Sequence, residues 1–391
     1  MKRKKAPLPD LENIIPILIN VWRQMHRLAG PPDSLQTREF RSVVEQVKVL
    51  HKHFETGQPI PDSEWNNKDL MGGYLLYSWV VHYLQALSIM GELPQTPTRV
   101  LDLCSGAAPI GFAALRWGAS EVVAVDAQLD LLKMGSQVIG KYGHPLSIRH
   151  WKHFKGKVPV EGTFDLICLG HGWQRMFPPG STSLDQRQSF LLSLFDKLSP
   201  GGYLMLIQSS QLEINHQLLA LRDRLVGKGI PVQAPCVWRG LCPALQSGSP
   251  CFAQRPFEKP HLIKEIQRAA SINLSSLKMS YLILRDPKAD WPAVPMEPVY
   301  RVVSPPVESN LIERFYLCGT DGKKSLESRL SQHPVESRAY EYLRRGDLIH
   351  IGHAAERGRA LEVVEGTTVQ VVVACGKPLA VQNQNQDDQD P

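Results

Sequence analysis

From Thr98 to Gln208 the chain alternates short apolar runs with helix-length amphipathic ones, and this alternation restricts the fold more than any other feature of the sequence. Arg99 to Leu103 is a short buried strand, Cys104 to Pro109 a tight turn, and Ile110 to Trp117 a helix. Glu121 to Asp126 is a second strand with a helix after it, and Phe164 to Gly170 a third clear strand. Leu191 to Leu198 then reads as a helix ending in Ser-Pro200-Gly201-Gly202, and Tyr203 to Gln208 as another strand. Strands that alternate with helices predict an α/β unit whose parallel sheet is covered on both faces.

The flanks have a different period. Residues 1–95 read as a helical region: Leu11 to Trp22, Phe40 to Phe54 and Met71 to Met90 keep amphipathic or wholly apolar helical spacing, with Pro16 expected in a first turn. Such a leader serves either as a structural cap or as a partner-binding element. Residues 96–232 hold the α/β unit, and 233–298 a cysteine-rich segment with the last sheet strands (Leu262 to Ala270 helical, Ser280 to Arg285 extended, Pro287 to Pro298 a proline-rich crossing). Residues 299–380 contain short β-prone runs, Tyr300 to Val303, Arg314 to Leu317, Asp347 to Ile351, Ala360 to Val364 and Thr368 to Val373, and predict a small β-rich subdomain. The polar tail 381–391 is expected to be disordered.

The chain has no apolar run of about eighteen residues, so no membrane helix is expected. Met1-Lys2-Arg3-Lys4-Lys5 followed by Pro7, Pro9 and Asp10 is unlike a secretory signal, which predicts a cytoplasmic protein. In that compartment thiols stay reduced, and an odd count of seven cysteines also disfavours a disulfide framework. The net charge of +6, with one basic stretch at Lys2 to Lys5 and another at Arg338, Arg344 and Arg345, is compatible with RNA contacts through phosphate neutralisation.

Asp102-Leu-Cys104-Ser105-Gly106-Ala107-Ala108 lies between a strand and a helix, and Asp126 ends the next strand, as a nucleoside-binding α/β unit requires. Gly106 lets backbone pass close to a ligand, and Asp126 can accept hydrogen bonds from ribose hydroxyls. With Asp102, Cys104, Ser105, Ala108 and Gly170 they make the expected cofactor contacts. The pattern resembles the class I S-adenosylmethionine-dependent methyltransferases, although glycine would be usual at Cys104 and Ala108, and Ala108 and Pro109 narrow the pocket floor. S-adenosylmethionine, a degenerate empty pocket and a dinucleotide all stay open. Where a base-methylating enzyme carries an Asn/Asp-Pro-Pro-aromatic turn, this chain has Gly170-His171-Gly172-Trp173. The catalytic candidates are therefore His171 as a base and Trp173 as a stacking surface, against a plain loop with one buried aromatic. Cys168, inside an apolar strand, reads as core.

Cys236, Cys242 and Cys251 each touch a proline in an irregular segment that also holds Gly240 and Gly248, and Cys318 stands apart in Leu317-Cys318-Gly319. A C-x5-C-x8-C loop with a distant fourth thiol suits a tetrathiolate iron-sulfur cluster; a zinc site would more often show C-x2-C pairs. An iron-sulfur cluster, zinc and no metal are the three readings.

Several short blocks then resemble one family, that of methyltransferase-like protein seventeen and the mitochondrial small-ribosomal-subunit protein Rsm twenty-two, in its bacterial form. They are Ala234 to Cys236, Leu241 to Leu245, Ser249 to Phe252, Lys278 to Arg285, Arg301 to Pro306, Leu317 to Gly322 and Arg344 to Leu348. The resemblance spans roughly residues 70 to 350. It implies a class I methyltransferase-like (Rossmann-like) sheet with a cysteine-rich metal-binding insertion, and a [4Fe-4S] cluster on Cys236, Cys242, Cys251 and Cys318. It also implies S-adenosylmethionine binding and a role on the small ribosomal subunit or its rRNA in assembly or translation. An active rRNA methyltransferase and a cofactor-free scaffold are the alternatives. Arg222 fits the helix of that family preceding the cysteines.

Overall fold

The computed structural model describes residues 9–178, 180, 182–309 and 312–380. The basic stretch at Lys2 to Lys5 and the tail 381–391 lie outside these.

The leader forms α1 (Leu11–His26), α2 (Thr37–Thr56) and a nearly continuous run of α3 (Lys68–Gly73), a π-helical turn (Tyr74–Ser78) and α4 (Trp79–Met90). Pro16 sits inside α1, not in its first turn, because the helix already begins at Leu11. The α/β unit runs β1 (Arg99–Leu103), α5 (Pro109–Trp117), β2 (Glu121–Asp126), α6 (Leu129–Lys141), β3 (Ser147–His150), β4 (Phe164–Gly170), α7 (Trp173–Met176), α8 (Ser183–Phe195), β5 (Leu198–Gln208) and α9 (Leu212–Gly227). It continues through β6 (Val232–Ala234), α10 (Pro243–Gln246), β7 (Ala253–Pro256), α11 (His261–Ala269) and β8 (Ser276–Arg285).

The strand order is β3-β2-β1-β4-β5-β8-β6, with β7 also on β8. The first five strands are parallel, but β8 runs antiparallel between β5 and β6, so the expected parallel sheet is mixed. Alternate side chains feed two cores. Val100, Ala124, Leu166, Met205 and Ile283 face the leader, α5, α6 and α11. Leu101, Val125, Ile167, Leu204 and Leu284 face α8 and α9. That two-sided burial is why the strands read as continuous apolar runs. The leader is one layer of the sandwich: Leu18, Val47, Leu75 and Trp79 are buried in the first core, the packing of a structural cap.

The C-terminal part is a second sheet of β9 (Val299–Val302), β10 (Val307–Ser309), β11 (Ile312–Gly319), β12 (Gly322–Ser328), β13 (Leu348–Gly352), β14 (Ala355–Arg357), β15 (Ala360–Glu362) and β16 (Thr368–Val373), ordered β14-β15-β12-β11-β9-β13-β16 with β10 on β11. It has its own core around Tyr300, Phe315, Leu326 and Ile349. Polar ties fix it to the first sheet: Arg301 Nε donates to Pro235 O at 3.0 Å and Gln233 Nε2 to Leu379 O at 3.3 Å. No helix among the described residues is long and apolar enough to cross a membrane.

A buried ionic knot joins the leader to β7 and β8. Glu92, just beyond α4, accepts from Arg255 Nη2 at 2.7 Å and from Tyr281 Oη at 2.8 Å, with Arg255 and Glu92 both buried. Removing the carboxylate charge leaves a buried guanidinium without its counter-charge, an arrangement that costs roughly 3–5 kcal/mol. Glu92→Gln is therefore expected to lower unfolding stability by about 3 kcal/mol in urea denaturation; a loss under 1 kcal/mol would show that the knot is dispensable.

Candidate functional site

The turn between β1 and α5 builds the floor of a cavity. Asp102 Oδ2 accepts from Gly111 N at 2.8 Å, Asp126 Oδ2 accepts from Gly106 N at 2.9 Å, and Ala108 N donates to Ser105 O at 2.8 Å. Cys104, Gly106 and Ala108 all have positive φ, at 54°, 54° and 55°. The glycine-type backbone thus survives although two of its three residues carry a β-carbon, which strains both in the left-handed region. Across the floor Gly172 is forced by proximity: a Cβ there would lie 2.2 Å from that of Cys104.

The cavity has a volume near 200 Å³. Cys104, Ser105, Gly106 and Gly170 line it, as do His171 and Gln208; Asp102, Ala108 and Asp126 stand behind its wall. The leader closes it from above with Phe54, Ile60, Trp65, Tyr74 and His82, contributions the sequence reading missed. Only the π-helical turn, which carries Tyr74 and Ser78 into the wall, could have hinted at them, and no residue pattern announces such a turn. Four wall groups are buried without a hydrogen-bond partner among the described residues: Trp65 Nε1, Ser105 Oγ, Gln174 Nε2 and Gln208 Nε2. Buried polar atoms normally find partners, so this cluster fits a ligand with several acceptor atoms.

His171 reaches the cavity with its ring stacked on His82, centroids 3.9 Å apart, and its Nε2 3.0 Å from Gln85 Oε1. Burial pushes its pKa down to about 4, so it is neutral at pH 7 and a poor proton acceptor there. His82 is pushed down too, by burial and then by His171. Trp173, proposed as a stacking surface, is instead buried in the second core beneath Arg187, edge-on to Phe177. It cannot stack on a base held in the cavity, because its helix, α7, turns it away from the wall. Cys168 is fully buried, as expected of core.

The cysteine loop is organised by one face of α9. Asn215, Arg222 and Asp223, two helical turns apart, share that face. Asn215 Nδ2 donates to Cys251 O at 2.6 Å and its Oδ1 accepts from Cys251 N at 3.0 Å. Arg222 donates to the carbonyls of Trp238 and Gly240, and Asp223 accepts from Cys242 N at 3.0 Å. Of these three only Arg222 was singled out from sequence; the i, i+7, i+8 spacing of polar residues on an otherwise packed helix is the signal for the others.

Cys318 arrives from β11, paired with Arg301 of β9 and Lys323 of β12. The thiols are close enough to act on one another. Burial raises the pKa of Cys318, and Cys236, Cys251 and Cys242 raise it further. Cys251 is pushed up to about 12 by burial, then by Cys236 and Cys242; Cys242 is raised by burial and by Cys236. Among the described residues no three His, Cys, Asp or Glu side chains are gathered tightly enough to hold a metal ion.

The model of the family described as mitochondrial small ribosomal subunit Rsm22 matches residues 75–347 of the 391. The chain belongs to the Rsm22 family. The match runs from the π-helical turn through the cavity floor, the three loop cysteines and Cys318 to the start of β13, whereas the cavity roof from Phe54 to Tyr74 precedes it. No curated protein sequence matches the chain. Among solved structures, a methyltransferase from Pyrococcus furiosus is similar at 15% identity over 53% of this chain and 84% of its own, with a TM-score of 0.35. An N-methyltransferase from Bradyrhizobium japonicum is similar at 11% identity over 53% and 94%, with a TM-score of 0.34.

Burial raises the pKa of Asp102 to about 7, with the Gly111 N–H opposing and Asp126 adding to the rise. A folded value above the unfolded one, about 3.9, means that the group's stabilisation is complete below about pH 4 and is lost as pH rises through 7. Between pH 5 and 8 the wild type is expected to lose on the order of 3 kcal/mol that Asp102→Asn does not lose. Thermal unfolding of both proteins across that range checks this, and parallel curves would refute it.

Proposed function

We propose that this Rsm22-family chain is an S-adenosylmethionine-binding, methyltransferase-like factor that acts on the small ribosomal subunit or its rRNA in assembly or translation. We further propose that Cys236, Cys242, Cys251 and Cys318 hold a [4Fe-4S] cluster. The observation that carries the reading is the approach of Cys318, on β11, to the three loop cysteines, with Cys242, Cys251 and Cys318 each raised by burial and then by neighbouring cysteines. Such mutual repulsion is relieved when thiolates bind a cationic centre. One zinc ion would draw its ligands to about 2.3 Å from a single point, whereas a cluster engages each thiolate on a separate iron, which suits the C-x5-C-x8-C spacing with a distant fourth cysteine. The centre would supply four bonds linking the loop on α9 to β11, a structural role. Membership of a family named for the small ribosomal subunit supports the partner, and the donor groups around the cavity support the cofactor.

With neutral His171 as the nearest ionisable candidate, the cavity favours cofactor binding over proton-transfer chemistry. On this reading the factor works in the cytoplasm and positions itself on RNA, with methyl transfer not required for its task.

Anaerobic purification with iron and sulfide assay tests the cluster. The wild type is expected to carry close to four irons per chain. Cys242→Ser should lose most of them, and Asn215→Ala, which frees the Cys251 backbone without touching a thiol, should lose part. Full iron in Cys242→Ser would exclude that ligand, and zinc in place of iron would exclude the cluster.

A further inference from the structure

We propose that Arg175 is the residue that sets the affinity of the cavity for a nucleoside cofactor, by occupying the edge of Asp126 that ribose hydroxyls need; this rests on the cofactor reading above. Asp126 is fully buried at the end of β2. Its Oδ2 accepts from Gly106 N at 2.9 Å and its Oδ1 from Gln128 N at 2.8 Å. A carboxylate oxygen has two lone pairs, so each keeps one direction for a ligand. Arg175 Nη2 stands 3.5 Å from Oδ1. Arg175 is part of the cavity wall and Asp126 is not.

The guanidinium is held there from three sides. Besides Asp126, Asp62 of the leader accepts from its Nη2 at 3.2 Å and its Nε at 3.3 Å, and the Phe154 ring lies 5.4 Å beneath it. Gln128 Nε2 also donates to Asp62 O at 3.3 Å, so the segment from Gly57 to Trp65 is fastened to the sheet through the same corner. With this corner closed the cavity offers about 200 Å³, below the roughly 300–1,000 Å³ usual for small-molecule sites. Meanwhile Trp65, Ser105, Gln174 and Gln208 keep polar atoms without partners among the described residues. In the closed arrangement Arg175 faces Asp126; a bound nucleoside, with Arg175 withdrawn, would take that place and offer acceptors to the four wall groups. Because Asp62 shares the guanidinium, the leader segment must loosen when Arg175 leaves. Arg175 is thus a specificity-determining residue, in competition with the ribose.

The test is calorimetric titration of the full chain with S-adenosylhomocysteine, together with hydrogen exchange over residues 57–66. Arg175→Gln should bind at least ten-fold more tightly than wild type, and Asp62→Asn, which weakens the hold without unpairing Asp126, a few-fold more tightly. Exchange over 57–66 should quicken in both before any ligand is added. Weaker binding by both variants would overturn the proposal, since Arg175 would then be a ligand contact. Unchanged exchange would overturn it as well. Faster exchange with no binding by any of the three proteins would sink the cofactor reading while leaving the Arg175 closure in place.

Discussion

The polar face of α9 is the constraint on which the rest of the molecule depends. An irregular loop carrying Cys236, Cys242 and Cys251 has no ladder to satisfy its peptide groups, and buried peptide groups without partners are costly. Arg222 meets two of its carbonyls, Asp223 one N–H, and Asn215 both polar groups of Cys251. Asn215 also donates to Ser280 of β8, and Pro235 accepts from Arg301 of the second sheet. One helix therefore aligns the loop against the central antiparallel strand on one side and the C-terminal sheet on the other. Without those side chains the loop would have no reason to keep three thiols facing β11.

The cavity floor makes a different compromise. Three left-handed residues in five bring Gly106 N onto Asp126 and Gly111 N onto Asp102, which aims two backbone donors at two buried carboxylates. Cys104 and Ala108 bear the strain of that geometry, and the tight packing of α4 on the turn, with Trp79 Nε1 donating to Ala107 O at 3.0 Å, holds it in place. The leader is thus both a layer of the core and the roof of the site. The two parts of that roof differ: the π-helical turn is packed into the core, whereas the segment around Asp62 meets the corner at Arg175 through a polar, partly exposed contact.

Much of the sheet could be read from residue pattern because its strands are buried on both sides: the run from Glu121 to Asp126 and that from Phe164 to Gly170 coincide with β2 and β4. Thr368 to Val373 likewise coincides with β16. β3 escaped notice because Ser147 to His150 is an exposed edge with no apolar signal. β12, an interior strand, was hidden because its lysines and serines give no apolar alternation, and β6 and β7 are too short to carry a period. The pocket residues on the β1 turn followed from their spacing, but Arg175 did not. Its role comes from a contact with Asp62, far away in sequence, and pairing at such distance leaves no local trace. Trp173 misled because an aromatic beside a glycine reads alike whether it faces a ligand or the core.

On the cluster reading proposed above, the position of the fourth sulfur would impose an order on biogenesis. Three thiols lie within the first sheet's own segment, but Cys318 belongs to β11, which a ribosome produces only after β8 has been made available to close the Rossmann-like layer. During synthesis the nascent chain therefore passes through an interval with an incomplete ligand set exposed to whatever metals the cell offers. A delivery system acting after the second sheet has docked would find the proposed set complete, so on that reading cluster insertion would be late and post-translational.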